Sequence, residues 1–261
     1  MEKYDIIIQG GQSNAEGTGR GKVFKEYEPN DRIMYMTQDK KVEHFPEGVK
    51  ITYYDEPFVF SVANERGEGN GKTGDFALTF AEEYVKSGML EEGRKLLIIR
   101  GGIGGTGFKK GNWRKGDAVF NKLLEMTDFA LGLRAENRVV AFLWHQGEHD
   151  AFEGNEPQVF ESQLVEILTE IRNRYDNNLP FIAGDFVSEW KQENIELCKP
   201  IVEKIKTVAS GKNGAFVETE DLLSNNQQNG DGDTIHFSRQ SLHELGRRYF
   251  QAFKEIKERK K

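Results

Sequence analysis

The chain has 261 residues, 37% of them hydrophobic, enough for one sizeable core, and a formal charge of -7 from 43 acidic against 36 basic side chains. An acidic balance leaves no footprint for a polyanion, so nucleic acid is excluded as an expected partner, and the single cysteine, Cys198, excludes an internal disulfide and a cysteine-rich metal site. No linker, repeat or composition shift divides the chain, so residues 1–261 are expected to form a single domain.

In chain order, the first apolar run is Ile6 to Gln9, short, branched and bounded by glycine, which reads as a buried strand. Its isoleucines are too few for a signal-peptide core or a membrane helix, so no membrane is expected and the cytoplasm is the expected location. The run leads into Gln9-Gly10-Gly11-Gln12-Ser13-Asn14-Ala15-Glu16-Gly17, where glycines allow a sharp turn that lifts Ser13 to the carboxyl edge of the strand. By itself the segment also reads as a glycine turn with a serine helix cap. It lacks the G-x-S-x-G of a nucleophile elbow, because the pattern fails at Ala15.

After Phe58-Val59-Phe60 comes Arg66-Gly67-Glu68-Gly69-Asn70-Gly71-Lys72-Thr73, close to a P-loop except that arginine stands where G-x-x-x-x-G-K-[ST] requires glycine. Phe76, Ala77, Phe80, Ala81, Tyr84 and Val85 then share one helix face. Leu96 to Arg100 reads as the next strand. It opens into Gly101-Gly102-Ile103-Gly104-Gly105-Thr106-Gly107-Phe108, whose backbone N–H groups can meet an anion, either a phosphate or the oxyanion of acyl transfer. Phe120, Leu123, Leu124, Thr127 and Leu131 form a second helical stripe.

Val139 to Trp144 is a further strand. It ends in Trp144-His145-Gln146-Gly147-Glu148-His149-Asp150, a set of polar and aromatic residues that packing does not explain. Gln146 offers an amide donor for a developing negative charge. His145 and His149, with Glu148 or Asp150, are of the right type for a metal, but they sit on a turn and no metal is expected. Phe160, Leu164, Ile167, Leu168 and Ile171 make a third helix face, Phe181 to Phe186 another strand, and Ala215 to Val217 a weaker one. Cys198, near Ile195, Ile201, Val202 and Ile205, reads as a packing residue.

Near the end, Asp231-Gly232-Asp233-Thr234-Ile235-His236-Phe237-Ser238 sets Asp233 three positions before His236. One tight loop can hold both in hydrogen-bond reach, the base and orienter of a triad. Ser238 reads as the N-cap of a last helix with Leu242, Leu245, Tyr249, Phe253 and Ile256 on its apolar face, and Lys257 to Lys261 as its solvated end. Strands separated by helices imply right-handed crossovers and an α/β fold. The expectation is a three-layer α/β/α sandwich around a central parallel sheet of about five strands, with functional residues at the strands' carboxyl ends.

Taken together, Gly11-Gln12-Ser13-Asn14, Ile103-Gly104-Gly105-Thr106, Trp144-His145-Gln146-Gly147-Glu148-His149-Asp150 and Asp233-Thr234-Ile235-His236 resemble the motifs of the SGNH hydrolases. Within that group the chain is similar to the sialate O-acetylesterase-like and carbohydrate esterase family 6 (acetylxylan esterase-related) enzymes. The glycine-led helix start Gly69 to Ala77 also looks like theirs. The resemblance implies a serine esterase of O-acetylated carbohydrates, with Ser13 as nucleophile, His236 as base and Asp233 as its orienter. It implies an oxyanion hole made of the N–H of Ser13, one N–H from Gly104 or Gly105, and the Gln146 side chain.

Asn14, Glu148 and Asp150 are then supporting residues, the last two expected to hold Gln146, and Trp113 matches an aromatic expected to bind substrate. Gly107-Phe108 departs from the pattern where relatives often carry a small polar and an aliphatic residue, as does His149, where a small residue is usual. The acetyl-serine route needs no metal or cofactor, and the expected partner is an acetylated oligosaccharide or another small acetyl ester. The rivals are a nucleotide-binding P-loop-like protein and a non-catalytic carbohydrate-binding module on the same scaffold. The presence of Ser13, Asp233 and His236 together weighs against the module.

Overall fold

The computed structural model describes residues 2–259, Asn70 by its backbone alone. The chain runs β1 (Lys3–Gly11), α1 (Ser13–Glu16), β2 (Ile33–Thr37), β3 (Lys40–Phe45), β4 (Gly48–Tyr53), β5 (Val59–Val62), α2 (Phe76–Lys86), β6 (Arg94–Arg100), α3 (Ala118–Gly132) and β7 (Arg138–His145). It continues through α4 (Glu148–Phe152), α5 (Pro157–Tyr175), β8 (Phe181–Gly184), α6 (Ser188–Glu193), α7 (Ile195–Ala209), β9 (Gly214–Val217), α8 (Asn225–Asn229) and α9 (Arg239–Glu258).

The main sheet has seven strands in the order β5-β2-β6-β1-β7-β8-β9. Every pairing is parallel except β2 with β5. The expected five strands are all present. The sheet is larger because β2 and the antiparallel edge strand β5 extend one side. Neither advertises itself: β2 reads Ile33-Met34-Tyr35-Met36-Thr37, with methionines where branched residues mark a strand. Val59 and Val62 of β5 are exposed at the edge, so no buried apolar run forms there. β3 and β4 make a separate hairpin.

Alternation along the buried strands assigns the two helical layers. Ile6 and Ile8 of β1 face one cluster with α3, α5 and α7, whereas Ile7 faces the other with α2 and α9. The four predicted helical stripes are core faces. Leu242, Leu245, Tyr249, Phe253 and Ile256 of α9 are all buried, each contributing about 1.5–3 kcal/mol of apolar transfer. Cys198 is buried in the first cluster. Ser238 caps α9, its side chain accepting from Ser241 N–H. The helix ends at Glu258, and Lys260 and Lys261 of the predicted basic end lie outside the described residues.

The Arg66–Thr73 segment does not form a P-loop. It leaves the edge strand β5 and closes on itself by the Thr73 N–H to the Arg66 carbonyl at 2.9 Å. Lys72 is paired with Glu26 at 3.1 Å, and the next helix starts only at Phe76, capped by Asp75. No cradle of helix N-terminal N–H groups follows the lysine.

Candidate active site

β6, β1 and β7 are adjacent and parallel, so the loops leaving their carboxyl ends converge in one crevice. The turn off β1 requires glycine. Gly11 has φ +136°, and a Cβ there would stand 2.1 Å from the carbonyl oxygen of His145. That approach lets Gln12 N–H donate to the same carbonyl at 3.0 Å, stitching the serine turn to the end of β7. Beneath it, Gln9 Nε2 donates to the Ala15 carbonyl at 2.5 Å and to Asp75 at 3.0 Å. Ser13 therefore opens a one-turn helix whose floor is pinned from below.

His236 reaches Ser13 across the crevice. Its Nε2 lies 2.8 Å from Ser13 Oγ, and its Nδ1 lies 2.9 and 3.0 Å from the two oxygens of Asp233. Asp233 also accepts from Asn225 Nδ2 at 3.0 Å and from Arg20 Nη2 at 2.8 Å. Burial pushes its carboxyl up, but the hydrogen bond from Asn225 and the neighbouring His236 and Arg20 outweigh that, leaving it below the usual carboxylate range. Arg20 and Asn225 were not legible in the sequence. Arg20 is 213 positions from Asp233 and belongs to no motif.

Asn14 clamps the histidine loop. Its Nδ2 donates to the Ile235 carbonyl at 3.1 Å and its Oδ1 accepts from the Phe237 N–H at 3.1 Å, so both flanks of His236 are held. The same Nδ2 donates to Glu148 Oε1 at 2.9 Å. Glu148 thus supports Asn14, not Gln146 as expected. Burial pushes its carboxyl up to about 7, against the hydrogen bond from Asn14.

His145, fully buried, donates through Nδ1 to the Tyr249 hydroxyl at 3.0 Å, which donates in turn to the Trp144 carbonyl at 2.9 Å. Its unpartnered Nε2 sits 3.7 Å from Glu148. Desolvation pushes the imidazole down to about 3, so it is a neutral packing group.

Asp150 does hold Gln146, accepting from its Nε2 at 2.5 Å, and also accepts from the N–H groups of Phe108 and Lys109 at 2.9 Å each. It thereby ties the β7 loop to the glycine loop. Gln146 Nε2 makes two further contacts at 3.5 Å, to Gln12 Oε1 and the Thr106 carbonyl, which set it beside the serine turn. His149 uses its backbone, donating from N–H to Gln12 Oε1 at 3.0 Å.

The glycine loop lies against Ser13, with a Cβ at Gly104 standing 3.5 Å from that of Ser13. The two glycines differ. Gly104 N–H donates to Glu16 Oε2 at 2.8 Å, and Glu16 is paired with Arg66 at 3.1 Å. Gly105 N–H has no such acceptor among the described residues. Gly105 has φ +73°, and a Cβ there would meet Val49 at 3.0 Å and the His44 ring at 3.3 Å, so the β3–β4 hairpin backs this loop.

Trp113 is the one expected site residue that the structure removes from the cleft. It is wholly buried, its Nε1 donates to Thr106 Oγ1 at 2.9 Å, and its ring packs edge-on against Trp144 at 5.0 Å. An indole with both its face and its donor already satisfied is a support for the glycine loop, not a substrate contact.

A family model described as carbohydrate esterase, sialic acid-specific acetylesterase, matches residues 3–255. Among solved structures, the chain is similar to NanS, with a TM-score of 0.74, 16% identity, and coverage of 99% of this chain and 98% of that one. It is similar to a protein of Arabidopsis thaliana with a TM-score of 0.68, 17% identity, and coverage of 98% and 99%. A carbohydrate acetylesterase from Xanthomonas citri matches with a TM-score of 0.65 and 17% identity over 97% of this chain and 56% of that one. At these identities the likeness is one of fold. No curated protein sequence matches the chain significantly.

Proposed function

The chain belongs to the carbohydrate esterase, sialic acid-specific acetylesterase family, and from that premise we propose that Ser13, His236 and Asp233 are its catalytic triad for hydrolysis of O-acetyl sugars. The protein is a carboxylic ester hydrolase acting on carbohydrate O-acetyl esters. The observation that carries the residue assignment is the unbroken relay from Ser13 Oγ through His236 to Asp233, with links of 2.8 and 2.9 Å.

Serine is a weak nucleophile until a base removes its proton. His236 Nε2 takes the Oγ proton as Oγ bonds to the acetyl carbon. Asp233, held ionised by Asn225, His236 and Arg20, fixes the Nδ1–H tautomer and stabilises the imidazolium. The carbonyl oxygen becomes an oxyanion, for which the N–H groups of Ser13 and Gly105 and the Gln146 Nε2 hydrogen that Asp150 does not hold are the donors. Losing such a donor typically costs ~10²–10³ in turnover. Of the pair Gly104 and Gly105 it is Gly105 that takes this role, because the Gly104 N–H is committed to Glu16. The imidazolium then protonates the departing sugar oxygen, and water activated by the same base cleaves the acetyl-serine.

Asp150 positions Gln146 and the glycine loop, and Asn14 with Glu148 positions His236. Acetate release from O-acetylated sugars by the wild type and by Ser13→Ala tests this reading. A variant with undiminished activity overturns it.

A further inference from the structure

Two adjoining hollows of about 650 and 830 Å³ open beside the loop 20–24 and share Lys22, Val23 and Gln228 in their walls. The first also includes Arg20, whose guanidinium bonds Asp233, so one side chain separates this groove from the triad. Phe24 stands in the wall of the second and is 96% exposed.

That exposure is built, not a loose end. The Phe24 N–H donates to Gln240 Oε1 at 2.8 Å, Arg20 N–H donates to Asn225 Oδ1 at 2.7 Å, and Arg239 N–H donates to the Arg20 carbonyl at 2.9 Å. A loop pinned along its length presents a bare aromatic ring to water, with the burial of its apolar surface left unrealised.

We propose that this groove is a subsite for the sugar residues linked to the acetylated one, with Phe24 as the platform on which a pyranose ring stacks. The apolar C–H face of a sugar matches an aromatic ring, and its hydroxyls match side-chain amides such as Gln228. A neutral glycan fits better than a polyanion, because the groove's guanidiniums are all paired, Arg20 with Asp231 and Asp233, Arg239 with Glu26 and Glu65, Arg247 with Glu244 and Arg248 with Asp221, and Lys22 alone is too little for a polyanion. The inference rests on the esterase reading above and adds that the protein acts on chains, not only on single sugars.

The test uses Phe24→Ala and Phe24→Trp, changes at an exposed position outside the catalytic machinery. Calorimetric titration with unacetylated xylohexaose, cellohexaose and mannohexaose reports binding independently of catalysis. The wild type is expected to bind at least one, Phe24→Ala about tenfold more weakly, and Phe24→Trp comparably. On the O-acetylated form of that oligomer, Phe24→Ala raises KM about tenfold, while p-nitrophenyl acetate hydrolysis is unchanged. Binding of none of the hexaoses, or equal binding by Phe24→Ala, overturns the subsite. Failure of the esterase reading shows separately, as a wild type inert towards p-nitrophenyl acetate.

Discussion

The carboxylate of Glu16 accepts the backbone N–H of Gly104 at 2.8 Å, so a residue three positions after Ser13 anchors the loop that faces it. Two effects are separable here. The hydrogen bond holds the glycine loop in place, whereas the negative charge opposes a nearby oxyanion. Glu16→Gln keeps an acceptor and removes the charge, so its kcat is expected at or slightly above that of the wild type. Glu16→Ala frees the loop and should lower kcat about tenfold, a loss of preorganisation. Steady-state hydrolysis of p-nitrophenyl acetate by both variants checks this. Equal losses in the two would show that the charge, not the anchor, matters.

Asn14 is the only side chain among the described residues that bonds both flanks of His236. Asn14→Ala should lower kcat ~10²-fold with KM little changed, because a misplacement near 1 Å is that costly. It should also destabilise the fold by about 1–3 kcal/mol, leaving the Phe237 N–H and Glu148 without partners. Kinetics beside urea denaturation separate the two effects. A variant that is destabilised but fully active would reduce Asn14 to a structural residue.

Glu148 sets a pH dependence of stability. Its carboxyl is pushed up to about 7 in the fold from an ordinary 4.5, so the folded state binds the proton more tightly than the unfolded chain. The contribution of the neutral acid is therefore fully present below pH 4.5 and is lost as pH rises through 7, at most on the order of 3 kcal/mol. Glu148→Gln removes the titration. The Tm of the wild type relative to this variant is expected to fall between pH 4.5 and 7.5, as read by calorimetry. A pH-independent difference would contradict the buried neutral carboxyl.

The histidines divide by role. His236→Ala should cost ~10³-fold or more in turnover with little loss of stability. His145→Ala should destabilise by about 2–4 kcal/mol, because it empties a wholly buried site bonded to Tyr249. His149→Ala should do neither, since its fixed contact to Gln12 is through the backbone. Paired activity and melting measurements on the three variants are the check.

Most of the sheet and the hydrogen-bonded relay of Ser13, His236 and Asp233 were legible in the sequence, for a physical reason. Buried parallel strands are continuous apolar runs, and a loop that must bring Asp233 to His236 does so within four residues. What was not legible depends on chain segments meeting at a distance. β5 is an exposed edge strand without a buried run, and Arg20 reaches Asp233 only because loop 20–24 packs on α8 and α9. Trp113 is ambiguous in the sequence because an aromatic near a glycine loop reads the same whether it faces sugar or core. Its partner Thr106 decides the matter, and only in three dimensions.

Hydrolysis as proposed turns on Ser13 being the nucleophile, activated by His236. A fluorophosphonate probe bonds covalently to an activated serine, and peptide mapping by mass spectrometry locates it. Labelling is expected at Ser13 alone, blocked by prior denaturation and slowed roughly a hundredfold or more in His236→Ala, since the base is what activates the hydroxyl. Labelling of the active protein at Ser61 or Ser238, or at Ser13 with undiminished rate in His236→Ala, would contradict it.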